Sequence, residues 1–237
     1  MKNVGDSGIR NKEFDKKFNR DKIIQSCVKS KQPIIFDIGA HHGQSVKYLE
    51  GIFNSPVIYS FEPDPDSFSV LAENTSKDNR IFNFAFSNTN GESCFFQNKI
   101  SHTNGLYEVN VDSRDSIRAQ NKNIEYKKEV NNKIYVETRT LDNFFEEHDI
   151  KFVDLMKIDT QGAEELVLEG GYSSLDKINA IILEVSFFDY YLHKTSFKDI
   201  EKYLLPAGFE LFSILETSNN PLNGRTDWVE VLYKKIS

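Results

Sequence analysis

The chain has few of the residues that build disulfide-rich, zinc-binding or membrane-spanning proteins. It contains two cysteines, Cys27 and Cys94, in 237 residues, so it can form one disulfide at most. Neither cysteine belongs to a Cys/His cluster with the spacing of a zinc site. No apolar run approaches the roughly 18 residues that a bilayer-spanning helix needs, and the first residues lack the apolar core of a secretory signal. A cytoplasmic location is therefore expected.

An excess of positive charge is also lacking. The chain has 29 Lys and Arg residues against 36 Asp and Glu residues, which gives a formal net charge of −7. Affinity for nucleic acid comes mainly from clustered Lys and Arg, whereas the basic pairs here, such as Lys127-Lys128, are short. Nucleic acid is therefore not expected as a partner. With 39% hydrophobic and 27% charged residues, the composition is typical of a folded globular protein with ample chain for a core.

The most informative segment runs from Ile34 to Gly43. An apolar run ends at Asp37 and is followed by two spaced glycines, Gly39 and Gly43. This pattern predicts a buried strand, a tight turn and the start of a helix. In doubly wound α/β proteins such a turn lies at the carboxyl edge of the sheet, where nucleotide-like ligands bind. Glycine there lets the backbone approach the ligand closely.

A second acid strengthens this interpretation. Glu62 ends the next apolar run, Val57 to Phe61, and lies 25 positions beyond Asp37 (62 − 37). An acid about 20 residues past the glycine turn is where such folds bind the two hydroxyls of a ribose, because a carboxylate can accept two hydrogen bonds at once. The alternative is that Glu62 only caps the helix that follows Pro63.

The predicted elements alternate between strands and helices, which is typical of a parallel sheet covered on both faces. The main strands are predicted at 34–38, 57–61, 81–86, 152–159 and 180–185, with closing strands at 209–215 and 228–233 and extra short strands at 93–97 and 134–138. No repeat or proline-rich linker interrupts residues 33–237, so they are predicted to form one domain. Residues 98–133 lack periodicity, and a polar stretch of this length is either a flap on the substrate side or disordered.

The first 32 residues are predicted to be a helical extension. An apolar stripe of near-helical spacing runs through them, which indicates one or two amphipathic helices packed outside the sheet. The stripe consists of Phe14, Phe18, Ile23, Ile24 and Cys27.

Four acids lie at or near the carboxyl ends of predicted parallel strands: Asp37, Glu62, Asp159 and Glu184. That edge is where open α/β sheets bind ligands. Acids at strand ends also occur by chance, so one of the four, with Glu184 the first choice, is expected to be structural or to face only the substrate.

Around these acids the chain carries five motifs in this order: Asp37-Ile38-Gly39-Ala40-His41-His42-Gly43-Gln44, Phe61-Glu62-Pro63-Asp64, Thr140-Leu141-Asp142, Lys157-Ile158-Asp159-Thr160-Gln161-Gly162-Ala163-Glu164 and Leu183-Glu184-Val185. With these motifs the chain resembles the FkbM family of S-adenosylmethionine-dependent methyltransferases, over about residues 33–233. The resemblance implies a Rossmann-like class I methyltransferase fold, α/β, with a mostly parallel seven-stranded sheet, helices on both faces and an antiparallel last strand. It also implies methyl transfer to oxygen, often on a sugar or polyketide hydroxyl.

The resemblance further implies which residues bind S-adenosylmethionine. Glu62 would bind the ribose, and Asp159 would lie near the methionine end and the transferred methyl. The remaining expected cofactor contacts are Asp37, Gly39, Ala40, His41 and Gly43 around the amino acid part, Pro63 and Asp64 beside the adenosine, and Ala85 and Phe86 near the adenine.

The chain departs from the common family pattern at two positions. His41 stands where the family often has Asn, which puts one cofactor contact in question. Gln161 stands where the family often has Glu, and glutamine can neither act as a base nor hold a metal as a carboxylate would.

Methyl transfer to a hydroxyl requires a group that removes its proton. The candidates for this catalytic role are Asp159 and His102, with His193 as a further histidine outside any motif. Both histidines also fit an ordinary exposed loop position. Alternatively, Asp159 and Glu184 could hold a divalent cation that polarises the acceptor.

The sequence therefore predicts an O-methyltransferase that acts on a hydroxyl of a sugar, a glycan or a glycosylated natural product. A nicotinamide-dependent oxidoreductase of related fold is one alternative, although it would require a fuller Gly-x-Gly-x-x-Gly motif than the one that His41 interrupts. A non-catalytic binding module is the other. The expected partner is a small-molecule or glycan acceptor, and the sequence leaves open whether the protein forms a homo-oligomer.

Overall fold

The structure is a computed structural model, which describes residues 7–76, 79–110, 132–221 and 223–236. Its centre is a seven-stranded sheet. The strands of this sheet are β1 (Ile34–Ile38), β2 (Val57–Phe61), β3 (Arg80–Phe82), β7 (Leu155–Ile158), β8 (Ala180–Ser186), β9 (Phe209–Asn219) and β10 (Thr226–Lys235). They lie in the order β3-β2-β1-β7-β8-β10-β9. β10 pairs antiparallel with both of its neighbours, while the pairs among β3, β2, β1, β7 and β8 are parallel.

Helices cover both faces of this sheet. The apolar stripes of α2 (Arg20–Cys27), α3 (Gln44–Ile52) and α4 (Pro65–Asn74) pack on one face. Those of α5 (Leu141–Glu147), α6 (Glu164–Gly170) and α7 (Phe197–Leu204) pack on the other. Strands buried on both faces read as nearly continuous apolar runs, which is why β1 and β2 were evident in the sequence. The predicted Rossmann-like class I methyltransferase fold is confirmed, including its antiparallel last strand.

The predicted third strand, 81–86, is wrong as a single element. Only β3 joins the large sheet, and the chain then turns so that β4 (Ala85–Phe86) joins a second sheet. The side-chain amide of Asn83 donates to the backbone carbonyls of Glu62 at 2.8 Å and Pro63 at 3.1 Å. These bonds hold the break between β3 and β4 beside the end of β2. A local apolar pattern cannot show such a change of sheet.

The second sheet has three strands in the order β4-β6-β5. The predicted short strands 93–97 and 134–138 meet here as β5 (Gly91–Gln97) and β6 (Asn132–Arg139), which pair antiparallel. Ala85, Phe95 and Val136 form its small buried core. Ala85 and Phe86 of β4 and Phe95 of β5 line the cavity at the carboxyl edge of the large sheet, so the second sheet lies beside that edge.

The N-terminal residues form two helices, α1 (Ser7–Lys17) and α2. α2 buries Ile23, Ile24 and Cys27 against the sheet, as predicted. Phe14 and Phe18 instead stack on each other at 5.4 Å and are 47% and 41% exposed, so the packing predicted for them is wrong. The division at residue 32 stays a prediction. Within the described ranges, no helix is long and apolar enough to cross a membrane.

The start of the predicted polar flap is ordered over the sheet edge. It contains a 3-10 turn at Ser101–Thr103, and Gly105 pairs with Phe96. Val109 pairs with Tyr191, which joins this segment to the loop after β8. The rest of the predicted flap, 111–131, lies outside the described residues. The predicted strand at 152–159 is confirmed in the shorter form of β7.

Candidate active site

A cavity of about 520 Å³ opens at the carboxyl ends of β1, β2 and β7. This volume lies within the range of about 300–1,000 Å³ that is usual for small-molecule sites. Among the predicted site residues, its wall contains Gly39, Ala40, His41, Glu62, Pro63, Ala85, Phe86, His102, Asp159 and Glu184. The tertiary structure thus brings together segments that are more than a hundred residues apart in the chain.

The turn after β1 requires glycine at its first position. Gly39 has φ = +83°, and a Cβ atom added there would lie 2.0 Å from the backbone oxygen of Asp159. The amides of Gly39 and Ala40 both donate to the carbonyl of Phe61, at 2.9 and 3.0 Å. Gly39 therefore lets the loops after β1, β2 and β7 meet at one point, for which any side chain would be too large.

Glu62 is held with both carboxylate oxygens fixed. The backbone amide of His41 donates to Oε2 at 2.8 Å, and that of Asp64 donates to Oε1 at 2.9 Å. Each oxygen keeps a further lone pair for a ligand hydroxyl. Burial raises the pKa of Glu62 to about 7, although the two N–H groups oppose this rise. The alternative that Glu62 caps α4 is wrong, because Asp64 is the N-cap and accepts from the amide of Ser67.

Three residues that were expected to contact the cofactor do not line the cavity and instead support its wall. Asp64 is 2% exposed, caps α4 and accepts hydrogen bonds from Gln97 at 2.6 Å and Asn104 at 3.2 Å. Gly43 has φ = +85° and begins α3. Asp37 is fully buried and accepts from the hydroxyl of Ser45. Burial raises the pKa of Asp37 although the charge of Lys157 opposes this.

The cavity has an apolar side that the sequence showed only in part. Pro63, Ala85 and Phe86 lie there as expected, and Phe84, Phe95 and Leu106 complete it. Sequence reasoning missed these three as site residues because they come from the strand break, the second sheet and the start of the flap. Their sequence pattern indicates only apolar packing, so no local signal distinguishes them.

Asp159 lies at the polar side of the cavity with both oxygens engaged. Lys157 Nζ lies 2.9 Å from Oδ2, and the amide of Gln161 donates to Oδ1 at 2.7 Å. Burial alone would raise the pKa of Asp159, but the charge and hydrogen bond of Lys157, together with Gln161, lower it below its ordinary value. Asp159 is therefore ionised at neutral pH and is a weak proton acceptor.

Both residues that depart from the family pattern line the cavity in a left-handed conformation. The φ angles are +48° for His41 and +58° for Gln161. Such angles are uncommon outside glycine and cluster at functional sites. Gln161 donates to Asp159 and accepts from the hydroxyl of Tyr191 at 2.7 Å. Glutamate could accept from Tyr191 in the same way, but in its ionised form it could not donate to Asp159.

The two candidate histidines lie in different places. His102 is exposed, lies on the 3-10 turn and lines the cavity. His193 does not line it. The ring of His193 lies 4.6 Å from that of Tyr107, and its Nε2 lies 3.5 Å from Glu165. His193 therefore belongs to a surface cluster beside α6 rather than to the site.

Glu184 projects into the cavity from β8 and differs from Asp159 in its protonation. Burial, with the negative charges of Asp159 and Glu164, raises the pKa of Glu184 to about 8. Its hydrogen bond in the site is accepted from Ser186 at 3.3 Å. A carboxyl group with a pKa near the working pH is suited to proton transfer. Glu184 was expected to be structural or to face only the substrate; it lines the cavity, and its role stays a prediction.

The described residues contain no group of three or more His, Cys, Asp or Glu side chains placed to hold a metal ion. Lys157 Nζ lies 2.9 Å from Asp159 Oδ2 and would compete with a cation for that oxygen. The divalent cation proposed for Asp159 and Glu184 stays a prediction.

The cavity matches a nucleoside with a polar tail. Glu62 offers paired acceptors for a diol, and the apolar side can cover a flat ring. The polar side, with Lys157, Asp159 and Gln161, offers donors and acceptors for a charged amino acid group.

Comparison with known proteins agrees with this match. Residues 37–211 match the model of the methyltransferase FkbM domain. The 2-O-methyltransferase NoeI of Sinorhizobium fredii is 32% identical over 209 residues, which cover 86% of this chain and 82% of that protein. The hexuronic acid methyltransferase AglP of Haloferax volcanii is 23% identical over 155 residues, which cover 64% of this chain and 55% of that protein.

Among solved structures, magnesium protoporphyrin IX methyltransferase (ChlM) from Synechocystis PCC 6803 with bound SAM is similar, with a TM-score of 0.49 and 8% identity, over 100% of this chain and 86% of that one. The domain match covers most of the chain, and it decides against the nicotinamide-dependent alternative. The chain belongs to the FkbM family of S-adenosylmethionine-dependent methyltransferases.

Proposed function

We propose that this protein transfers the methyl group of S-adenosylmethionine to a hydroxyl oxygen of a sugar. The observation that carries the proposal is the cavity in which the fixed carboxylate of Glu62 and the titratable carboxyl of Glu184 line one space. NoeI is named a 2-O-methyltransferase, which supports transfer to oxygen, and AglP is named a hexuronic acid methyltransferase, which supports a sugar acceptor.

The cofactor would lie between the loops after β1, β2 and β7. Glu62 would accept hydrogen bonds from the two ribose hydroxyls, and Ala85 and Phe86 would pack against the adenine. Gly39 and Asp159 would lie beside the amino acid part, where Gln161 keeps Asp159 oriented. When bound, the cofactor supplies an electrophilic methyl group on a positively charged sulfur.

A sugar hydroxyl is a poor nucleophile until its proton is removed, so the site needs an acceptor for that proton. Asp159 suits this role poorly, because Lys157 and Gln161 engage both of its oxygens and its pKa is lowered. Glu184 suits it better, because its pKa is about 8 and it has one weak hydrogen bond within the site. We assign Glu184 as the base and keep His102, at the exposed turn, as the second candidate. Asp159 would then position groups rather than accept the proton.

The first experiment is calorimetric binding of S-adenosylhomocysteine and of NAD to the purified protein, with and without magnesium. The proposal expects binding of S-adenosylhomocysteine alone, with no effect of magnesium on its affinity. Methyl transfer from labelled S-adenosylmethionine to a panel of sugars follows. If S-adenosylhomocysteine binds but no sugar in the panel is methylated, the acceptor class is wrong; if neither compound binds, the protein is a non-catalytic module.

A further inference from the structure

A second, smaller cavity of about 190 Å³ adjoins the cofactor cavity. Three residues line both of them: Lys157, Asp159 and Glu184. From there the second cavity extends along the sheet toward its β9 edge, where Glu216 of β9 and Trp228 and Glu230 of β10 line it. At about 30 Å³ per water molecule it has room for roughly six waters, which suits one small polar molecule rather than a chain of sugars.

The wall of this cavity carries a row of glutamates on adjacent strands. Glu230 pairs in register with Glu184 on one side and with Glu216 on the other, so the three side chains share one face of the sheet. Three like charges in such a row would oppose folding, but Glu184 is mostly uncharged at neutral pH because burial raises its pKa to about 8. Arg20 offsets one of them through a bidentate contact with Glu230, at 2.8–2.9 Å.

The cation in this wall is already engaged. Four carboxyl groups line the cavity with a single amine, that of Lys157, and the amine lies 2.9 Å from Asp159. The cavity can therefore accept hydrogen bonds from several hydroxyl groups, but it offers no uncommitted cation among the described residues to a negatively charged group.

The aromatic member of the wall is Trp228, the one tryptophan of the chain. It lies at the start of β10, in register with Ser186 and Ser218, and it is half-buried, so part of the indole is accessible. A flat apolar ring beside hydrogen-bond acceptors matches a sugar, which has an apolar C–H face and a rim of hydroxyl donors.

We infer that this second cavity is the acceptor subsite, and that it takes an uncharged sugar and rejects a uronic acid. The inference rests on the proposed function, because Glu184 joins the subsite to the cofactor cavity. A hexuronate would bring its own carboxylate beside Glu216 and Glu230. It would lose hydration there without gaining a cation, because Arg20 and Lys157 are already engaged by Glu230 and Asp159.

Trp228 allows the subsite to be observed directly. The probes are methyl glycosides of hexoses paired with the corresponding hexuronates, which differ only in the group at C6. They are titrated into the protein saturated with S-adenosylhomocysteine, and the tryptophan emission is recorded. We expect a saturable change in emission with a neutral member of the panel. With its uronate, the concentration that gives half of the change should be at least roughly tenfold higher.

Variants then separate the subsite from the rest of the site. Trp228→Ala should raise the KM for the sugar roughly tenfold and Trp228→Phe by less, while both bind S-adenosylhomocysteine as the wild type does, which also shows that they fold. Glu216→Gln should lower the preference for the neutral sugar, measured as its kcat/KM divided by that of its uronate. Glu210→Gln is the matched control, because Glu210 is exposed on the same strand and lies outside the cavity.

The outcomes that overturn the inference differ from those that overturn the function. If a neutral sugar is methylated without any change in tryptophan emission, and Trp228→Ala keeps the wild-type KM, the acceptor binds elsewhere. If uronates are methylated as well as their neutral partners, the charge selection is wrong. If S-adenosylhomocysteine binds and no sugar is methylated or alters the emission, the proposed function falls first and the inference falls with it.

Discussion

At the scale of single residues, carboxyl groups that look alike in the sequence differ in their chemistry because of their neighbours. Asp159 and Glu184 both follow apolar strand residues and both face the cavity. Lys157 lies against Asp159 and lowers its pKa. Glu184 is half-buried, and this partial burial, with the negative charges of Asp159 and Glu164, raises its pKa to about 8. Environments that push two carboxyl pKa values apart separate their roles in catalysis.

Glu184→Gln should lower kcat by roughly 10²- to 10⁴-fold, the usual contribution of a positioned base. The affinity for S-adenosylhomocysteine should stay at the wild-type value. In the wild type, kcat should rise with pH and level off above about 8, since Glu184 must be ionised to accept the proton. The groups that set this pKa include Asp159 and Lys157 beside it and Glu164 on α6.

A pH–rate profile of the wild type and of Glu184→Gln checks this assignment. His102→Asn is the comparison variant, because asparagine removes the titratable group while keeping a polar side chain at the mouth of the cavity. If His102→Asn loses the rise of kcat with pH while Glu184→Gln keeps the wild-type profile, His102 rather than Glu184 is the base.

Glu62→Gln should weaken binding of S-adenosylhomocysteine by roughly 100-fold or more, because two charge-assisted hydrogen bonds to the ribose would be lost or weakened. In the wild type the backbone N–H groups of His41 and Asp64 both donate to Glu62. Glutamine would point its own N–H donors at one of these two groups, and that hydrogen bond would be lost. Calorimetry on Glu62→Gln and on Glu73→Gln, an exposed control on α4, measures the effect. Equal affinities for the two variants would remove Glu62 from the ribose site.

At the scale of elements, the loops that follow β1 and β7 determine the site together. A strand that ends just after Asp37 feeds the turn at Gly39, and the strand β7 delivers Asp159 to the same point. The two strands are neighbours in the sheet, and the loops can touch only because position 39 has no side chain. Backbone contact between loops, rather than side-chain packing, therefore fixes this part of the cavity.

Gly39→Ala should destabilise the fold and abolish cofactor binding. The new Cβ would overlap the carbonyl of Asp159, and alanine is strained at φ = +83°, which costs roughly 1–3 kcal/mol before the clash is counted. Gly51→Ala is the matched control. Gly51 lies in α3, and a methyl group there would have nothing within 4 Å, so alanine should stabilise the protein by about 0.4–1 kcal/mol.

Urea unfolding of the two glycine variants, with S-adenosylhomocysteine binding measured on each, tests this argument. If Gly39→Ala bound S-adenosylhomocysteine as tightly as Gly51→Ala does, the close contact between the two loops would not be required for the site.

At the scale of the whole molecule, we expect the site to couple cofactor binding to stability and to pH. The pKa of Glu62 is about 7 in the folded protein, above its ordinary value of 4.5. Its contribution to stability is therefore fully present below about pH 4.5 and is lost as the pH rises through 7. A ligand that binds the ionised form should recover part of this loss, because it supplies hydrogen-bond donors to the buried charge.

S-adenosylhomocysteine at about 100 times its Kd should stabilise the protein by about 2.7 kcal/mol. For a chain of this size that corresponds to a rise in Tm of roughly 5–11 °C. At a fixed ligand concentration the rise should be larger at pH 8 than at pH 6. Thermal unfolding at both pH values checks the sign, and a larger rise at pH 6 would show that the ligand binds the protonated form of Glu62.

Local patterns were sufficient for the elements of this fold and for the outline of its site. The apolar runs of β1 and β2, the glycine turn, Glu62 and the acids after β7 and in β8 each depend on a few consecutive residues. The break at Asn83 and the exposure of Phe14 could not be predicted in that way. In both places the outcome depends on which distant surface the segment meets.

The sequence by itself determined the strand–turn–helix at residues 34–43, the acids at the sheet edge and the family, because each depends on residue types at short spacing. Only the tertiary structure decided that Lys157 engages Asp159 and leaves Glu184 to titrate near neutral pH. It also decided that Phe84, Phe95 and Leu106 complete the apolar side of the larger cavity and that three strands align Glu184, Glu230 and Glu216. The physical reason is that pairing, burial and charge interaction act through space between segments that the chain brings together only when folded.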